Sequence, residues 1–334
     1  MGRVTLGLAS SHSPQLSTVA GEWGLHVERD RRNANLHFRG RVFDFDGLRE
    51  ARSGEQLDRQ LAAEVVEERF QRCDRAVAEL RDRLQAARPD VLIVVGDDQR
   101  ELFLDDGTPA LAVFWGDSVQ CIPPSEQAPV PAGLQWSRAV NRGRHEAYRC
   151  DSELGLHLVE SLVAEDFDVA QLREQPPGRS IGHAFNFVHN RLQPEGAIPI
   201  VPLLVNTYYP PNQPRADRCY ALGQALGRAI ERWDGGHGDT TVGIVASGGL
   251  SHFVVDEELD GRVLDALRAR SRGRAAELRQ DELVSGTSEI RNWLVVAGAT
   301  EHLELDTLEY VPCYRSEAGT GVGMGFASWS HGSA

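Results

Sequence analysis

The chain has 334 residues, is 41% hydrophobic, and carries 35 Lys plus Arg against 49 Asp plus Glu, a formal net charge of −14. That is enough apolar material for one large α/β domain or two ordinary ones, and so acidic a surface argues against nucleic acid or an anionic membrane as the main partner. Lysine is missing altogether, which excludes a lysine Schiff base and a phosphate-loop lysine.

Cys73, Cys121, Cys150, Cys219 and Cys313 are scattered and form no CxxC pair. This opposes a disulfide framework or a structural zinc site and fits a reducing cytosol. The first residues enter a strand at once, without a basic segment followed by an apolar one, so no signal peptide is expected. No run approaches about 20 apolar residues, so no membrane span is expected either.

In chain order, residues 3–9 read as a buried strand that ends in Ser10-Ser11-His12-Ser13-Pro14. Residues 20–54 are polar and Gly-punctuated and predict a long irregular excursion. The stretch 55–87 predicts a helix, with Leu57, Leu61, Val65, Phe70, Val77, Leu80 and Leu84 on one face. Pro89 stops it before a second strand, 91–95, which runs into Gly96-Asp97-Asp98-Gln99. Residues 110–115 predict a strand, the Pro-rich stretch 123–134 a loop, 151–164 a helix, 167–170 a short strand and 198–205 a longer one. A helix over 215–233 and a strand over 242–246 follow, then Ser247-Gly248-Gly249-Leu250-Ser251-His252 and a helix near 257–270. Alternation of helices with strands that are apolar throughout implies a mainly parallel sheet covered on both faces, in a single α/β domain over 1–334. Three strands deliver polar groups to their carboxyl ends, the edge at which open α/β sheets bind ligands.

Among the imidazoles, His12, His157, His183, His189 and His252 deserve weighing as metal ligands or proton carriers. His12 is placed as a ligand, although a strand-end His also serves simply to bond backbone. Asp98, Gln99 and Glu101 read equally as a turn-forming acidic loop. Asp256, Glu257, Glu258 and Asp260 read equally as acidic residues complementing a helix N-terminus. His183, between Gly182 and Ala184-Phe185, is expected to be desolvated, with its pKa pushed down toward the neutral form. The Gly-rich segment 247–251 matches neither GxGxxG, nor a P-loop, nor GxSxG. Asn206, Tyr208 and Tyr209 end another strand and either line the same pocket or merely pack.

Taken together, Ser11-His12-Ser13-Pro14, Val94-Val95-Gly96-Asp97-Asp98, Gly182-His183 and Ser247–His252, followed by an acidic helix start and a Tyr- and Gly-rich tail, resemble the class III extradiol dioxygenases. This is the superfamily of the protocatechuate 4,5-dioxygenase catalytic subunit. The resemblance implies non-heme Fe(II) held by two His and one Glu, and O2-dependent opening of a catechol-type ring outside the diol. By resemblance, His12 matches the first His ligand and Glu258 the carboxylate, with Glu257 one residue away. His183 matches the acid/base and His157 a second His near the site. Ser251, His252 and Tyr208 become pocket walls, and Arg315 a partner for an anionic substrate. The family's second His ligand is replaced here by Gln99. Three outcomes follow: Gln99 ligates through its side-chain carbonyl, Asp98 or Glu101 takes its place, or the metal is weak or absent. The alternatives are a non-oxidative metal enzyme, such as a hydrolase or decarboxylase using zinc or manganese, and a non-catalytic subunit of a dioxygenase. A homodimer is expected from the resemblance, and a cytoplasmic location from the cysteine usage.

Overall fold

A computed structural model describes residues 1–122, 145–235 and 239–332, and the Pro-rich stretch 123–134 lies outside them. The elements run β1 (Gly2–Ser10), α1 (Val27–Arg31), β2 (Leu36–Phe38), β3 (Arg41–Phe43), α2 (Phe45–Ala51), α3 (Ala63–Ala87), β4 (Val91–Gly96), β5 (Leu111–Phe114), β6 (Ser118–Cys121) and β7 (Glu146–Arg149). They continue as α4 (Ser152–Ala164), β8 (Ala170–Leu172), α5 (His183–Phe187), β9 (Ile200–Val205), α6 (Ala216–Arg232), β10 (Thr240–Ser247), β11 (His252–Val254), α7 (Glu257–Ala269), α8 (Arg272–Ala276), α9 (Ile290–Ala299), β12 (Glu304–Tyr314) and β13 (Thr320–Ser330).

Nine strands form one sheet in the order β11-β13-β1-β10-β4-β9-β5-β8, with β12 along the free side of β13. The central pairs β1–β10, β10–β4 and β4–β9 are parallel. Toward the flanks β13 is antiparallel to β1, β11 and β12, and β5 is antiparallel to β9, while the edge strand β8 is parallel to β5. The sheet is therefore mixed but mostly parallel at its centre.

Side chains alternate across a strand, so each central strand must be apolar on both faces. Val91, Ile93 and Val95 join a core with α4, α6 and α9 on one face, while Leu92 and Val94 join a second core with α3 and α5 on the other. Helices α6 and α9 cross where each has a glycine. A Cβ on Gly223 would lie 1.9 Å from the Val295 carbonyl oxygen, and one on Gly298 would lie 2.1 Å from that of Tyr220. No helix among the described residues is long and apolar enough to cross a membrane.

Two sequence expectations change. The helix read over 55–87 is broken, because Gln56 adopts a left-handed φ of 51° and Ala62 is extended; a 3-10 turn at Leu57–Leu61 precedes α3. The excursion 20–54 carries α1, α2 and the β2–β3 hairpin, which bury Leu36, Phe45 and Leu48 against Val254 and Ala318. The C-terminal β12–β13 hairpin has no counterpart in the sequence reading. Its glycines 321, 323 and 325 lie inside a buried strand, not in a loop.

Candidate metal centre

Strand register fixes the site. Ser10 pairs with Ser247, and Ala246 with Val95, so β10 is flanked by β1 and β4 at one carboxyl edge. His12 follows β1 by two residues and Asp97 follows β4 directly. The 3-10 turn Ser285–Glu289 leads into α9, which packs on the same strands, and brings Glu289 to that edge. His183 opens α5. Ligand atoms of His12, Asp97, His183 and Glu289 lie within 4.8 Å of one another.

Hydrogen bonds decide which ring nitrogen of His12 faces inward. The Ser247 hydroxyl donates its one proton to the Ala184 carbonyl at 2.7 Å. It must therefore accept from His12 Nδ1, 3.0 Å away. In the neutral ring the lone pair is then on Nε2, which stands 3.4 Å from Glu289 Oε2, with both side chains almost fully buried. Two electron-pair donors facing each other in a dry site call for a cation between them, and the pinning of Nδ1 is the usual outer support of a metal-bound imidazole. On this chemistry the residues present fit a divalent metal.

Glu289 is held on several sides. Its Oε2 accepts the Gly249 N–H at 2.7 Å, and its Oε1 accepts the Gln99 amide at 3.2 Å and lies 3.3 Å from His252 Nε2. Burial works to raise its pKa, but the adjoining imidazoles of His252 and His12 outweigh burial and hold it well below the usual carboxylate range. Asp97, fully buried, is pushed up to about 6 by burial and by the charge of Glu289. Two carboxylates this close repel unless a positive charge separates them, a second sign of a cation site.

Glu101 fixes His183. Its Oε1 accepts both the His183 backbone N–H at 3.1 Å and the ring Nδ1–H at 2.6 Å. Gly182 permits this contact, since a Cβ there would come within 2.8 Å of Glu101 Oε2. The sequence expectation of a lowered His183 pKa is reversed. Burial does lower it, but Glu101, Asp97 and Glu289 outweigh burial and raise it to about 10. Glu101 in turn is brought down to about 2, because His183 and backbone donors outweigh its own burial.

The site opens on a cavity of about 450 Å³, whose lining includes His12, Gln99, Glu101, His183, His252 and Glu289. The remaining predicted residues fall elsewhere. Glu258 is corrected: it stands on the surface with its side chain 69% exposed, ion-paired to Arg39 at 3.0 Å. Glu257 accepts the Tyr314 hydroxyl, and Asp256 caps α7 through the Leu259 N–H. The acidic cluster at 256–260 is thus accounted for by capping and local pairing.

His157 lies on α4, bonded to the Ala229 carbonyl, and does not line the cavity. His189 stacks on Tyr148. Ser251 is buried against Asp260, and Tyr208 lies outside the lining. Arg315 is buried and paired in two places with Asp30, at 2.7 and 2.8 Å. Asp98 accepts three backbone N–H groups, from Arg100, Leu102 and Phe103, and shapes the loop. Gln99 presents its amide nitrogen, not its carbonyl, to Asp97 and Glu289, since both partners are acceptors.

Sequence reasoning missed Asp97 and Glu289 as site residues. The available signal for Glu289 was an acidic residue directly before α9, a helix buried along its whole length.

A protein-family model described as the catalytic LigB subunit of aromatic ring-opening dioxygenase matches residues 63–323. The chain belongs to the LigB family. The matched span runs from α3 to the first residues of β13 and so includes Asp97, His183 and Glu289, while His12 precedes it. Among curated LigB-like relatives, a gallate dioxygenase of Pseudomonas putida is 35% identical over 159 residues, which is 43% of this chain and 44% of that protein. The 2,3-dihydroxyphenylpropionate/2,3-dihydroxicinnamic acid 1,2-dioxygenases of Cupriavidus necator and Cupriavidus pinatubonensis are each 29% identical over 205 residues, 60% of this chain and 54% of theirs. The chain thus spans about half the length of the curated relatives it matches.

Proposed function

We propose that this protein opens the ring of a catechol-type aromatic diol with O2, outside the diol, using Fe(II) held by His12, Asp97 and Glu289. The observation that carries the reading is the His12 Nε2 lone pair set against the Glu289 carboxylate at the wall of an open cavity. Family membership supports the reaction class. The relatives' names specify gallate and dihydroxyphenylpropionate for those proteins, and only the shared class, a ring with neighbouring hydroxyls, is carried over.

A divalent iron bound there supplies a Lewis-acid anchor for the diol oxygens and a redox partner for O2. The chain's own residues do the rest. The cavity is in the size range of a small-molecule site. Phe187, Phe253 and Ile181 give it apolar walls that seat a ring and exclude water. His183, with Nδ1 tied to Glu101, keeps Nε2 for a substrate proton, and the Glu101 charge holds that proton on the ring until the substrate becomes the stronger base. Gln99 donates to both Asp97 and Glu289, damping their repulsion and keeping them in place. His252 steadies the other side of Glu289. Five free, buried thiols support a reducing compartment.

One His with two carboxylates is also a donor set that manganese or zinc accepts, which keeps a non-oxidative metal enzyme as the second reading. The test is O2 uptake by anaerobically iron-loaded protein across a panel of catechols. Uptake with a coloured ring-opened product is expected. No uptake from any diol, with zinc or manganese retained at one ion per chain, would favour the second reading.

A further inference from the structure

The cavity holds two carboxylates at its metal-site end, Glu101 and Glu289, each already engaged by a histidine. Among its described lining residues it holds one Lys or Arg side chain, Arg29. The charges around Arg29 do not balance. Arg29 feels the charges of both Arg315 and Asp30, and Asp30 is engaged elsewhere: it accepts two bonds from Arg315 and a third from the Thr320 hydroxyl. Among the described residues no carboxylate comes within ion-pair distance of Arg29, and its guanidinium carbon lies 5.0 Å from the centroid of the Phe253 ring. In a chain of net charge −14, an unmatched cation facing an otherwise acidic and apolar cavity is a deliberate asymmetry.

The placement is also rigid. Helix α1 is only Val27–Arg31, but Asp30 locks it to Arg315 and Thr320 at the ends of the β12–β13 hairpin, and His26 bonds Thr18 just before it. A guanidinium held at a cavity wall, with its fork unused, matches a carboxylate in shape and charge.

Resting on the ring-opening reading above, we propose that Arg29 is a specificity-determining residue that receives an anionic, carboxylate-bearing substituent of the aromatic diol. The diol end of the substrate faces His12, Asp97 and Glu289, the ring packs on Phe253 and Phe187, and the acidic group meets Arg29. Arg315, which the sequence suggested for this task, instead anchors the helix that carries Arg29.

The test measures binding, not turnover. Under anaerobic conditions, calorimetric titration compares a carboxylate-bearing catechol with its methyl ester on wild-type, Arg29→Gln and Arg29→Lys proteins. Arg29→Gln is expected to weaken the acid about 10- to 100-fold, the size of one lost charge-assisted pair, and to leave the ester within about twofold. Arg29→Lys should recover part of the loss, because it restores charge without the fork. Equal changes for acid and ester, or none for either, overturn the assignment and leave the ring-opening reading standing. Wild-type protein that binds neither probe overturns that reading instead.

Discussion

At the scale of single residues, the His12–Glu289 pair and the His183–Glu101 pair divide the work. His12 and Glu289 meet almost fully buried, whereas His183 keeps about a third of its side chain open to the cavity. The division has a direct consequence. His12→Ala or Glu289→Ala should reduce bound metal per chain at least about tenfold, the range seen when ligands or their supports are removed. His183→Gln should keep the metal and lose turnover. Elemental analysis beside an activity assay checks this, and loss of metal in His183→Gln would make His183 a ligand.

His12 was legible in the sequence because a strand, an imidazole and a proline follow one another directly. Glu289 was not, because its partner is 277 positions away and only the packing of α9 on the sheet brings them together. The acidic run at 256–260 drew attention by composition, yet every member has a local partner.

At the scale of elements, the glycines at the α6–α9 crossing set how deeply α9 seats, and with it Glu289. Gly223→Val would press a side chain into the Val295 carbonyl. Overpacking of this kind costs about 1–3 kcal/mol, so the variant should melt several degrees lower and lose metal together with stability. A thermal scan with metal analysis on the same sample tests the coupling.

Arg291, buried at the start of α9, donates to the carbonyls of Pro214, Thr207, Leu283 and Ser288 and so ties the Ser285–Glu289 turn to the end of β9. Helix α7 carries a separate titration. Asp260 is pushed up to about 7, because burial outweighs its bonds from Ser251 and Tyr310. The folded protein therefore holds this proton more tightly than the unfolded chain, whose carboxyl titrates near 3.8. The sign follows from linkage: stability from this group is full below the unfolded value and is lost as pH rises toward 7. Asp260→Asn should flatten that part of the Tm–pH curve, and an unchanged slope would remove Asp260 as its source.

The helices and central strands were readable because their apolar periods are long and regular. The β12–β13 hairpin was not. Its glycines resemble turn signals locally and make sense only as a strand squeezed between β12, β1 and β11.

At the scale of the whole molecule, the parallel centre of the sheet gathers the ends of β1, β4 and β10 at one edge, the turn before α9 brings Glu289 to it, and Arg315 holds α1 through Asp30. The site is thus assembled from both ends of the chain, which is why no short segment of the sequence displays it. The chain belongs to the LigB family, and the proposed ring opening places Gln99 beside the two carboxylates and Arg29 at the cavity wall.

The central claim is that a divalent ion sits between His12 and Glu289. Crystals grown from iron-reconstituted protein, with anomalous data collected on either side of the iron absorption edge, test it most directly. The account predicts one strong peak between His12 Nε2 and the Glu289 carboxylate, next to Asp97. A peak at Glu258 and Arg39, or none at the His12 edge of the sheet, would contradict it.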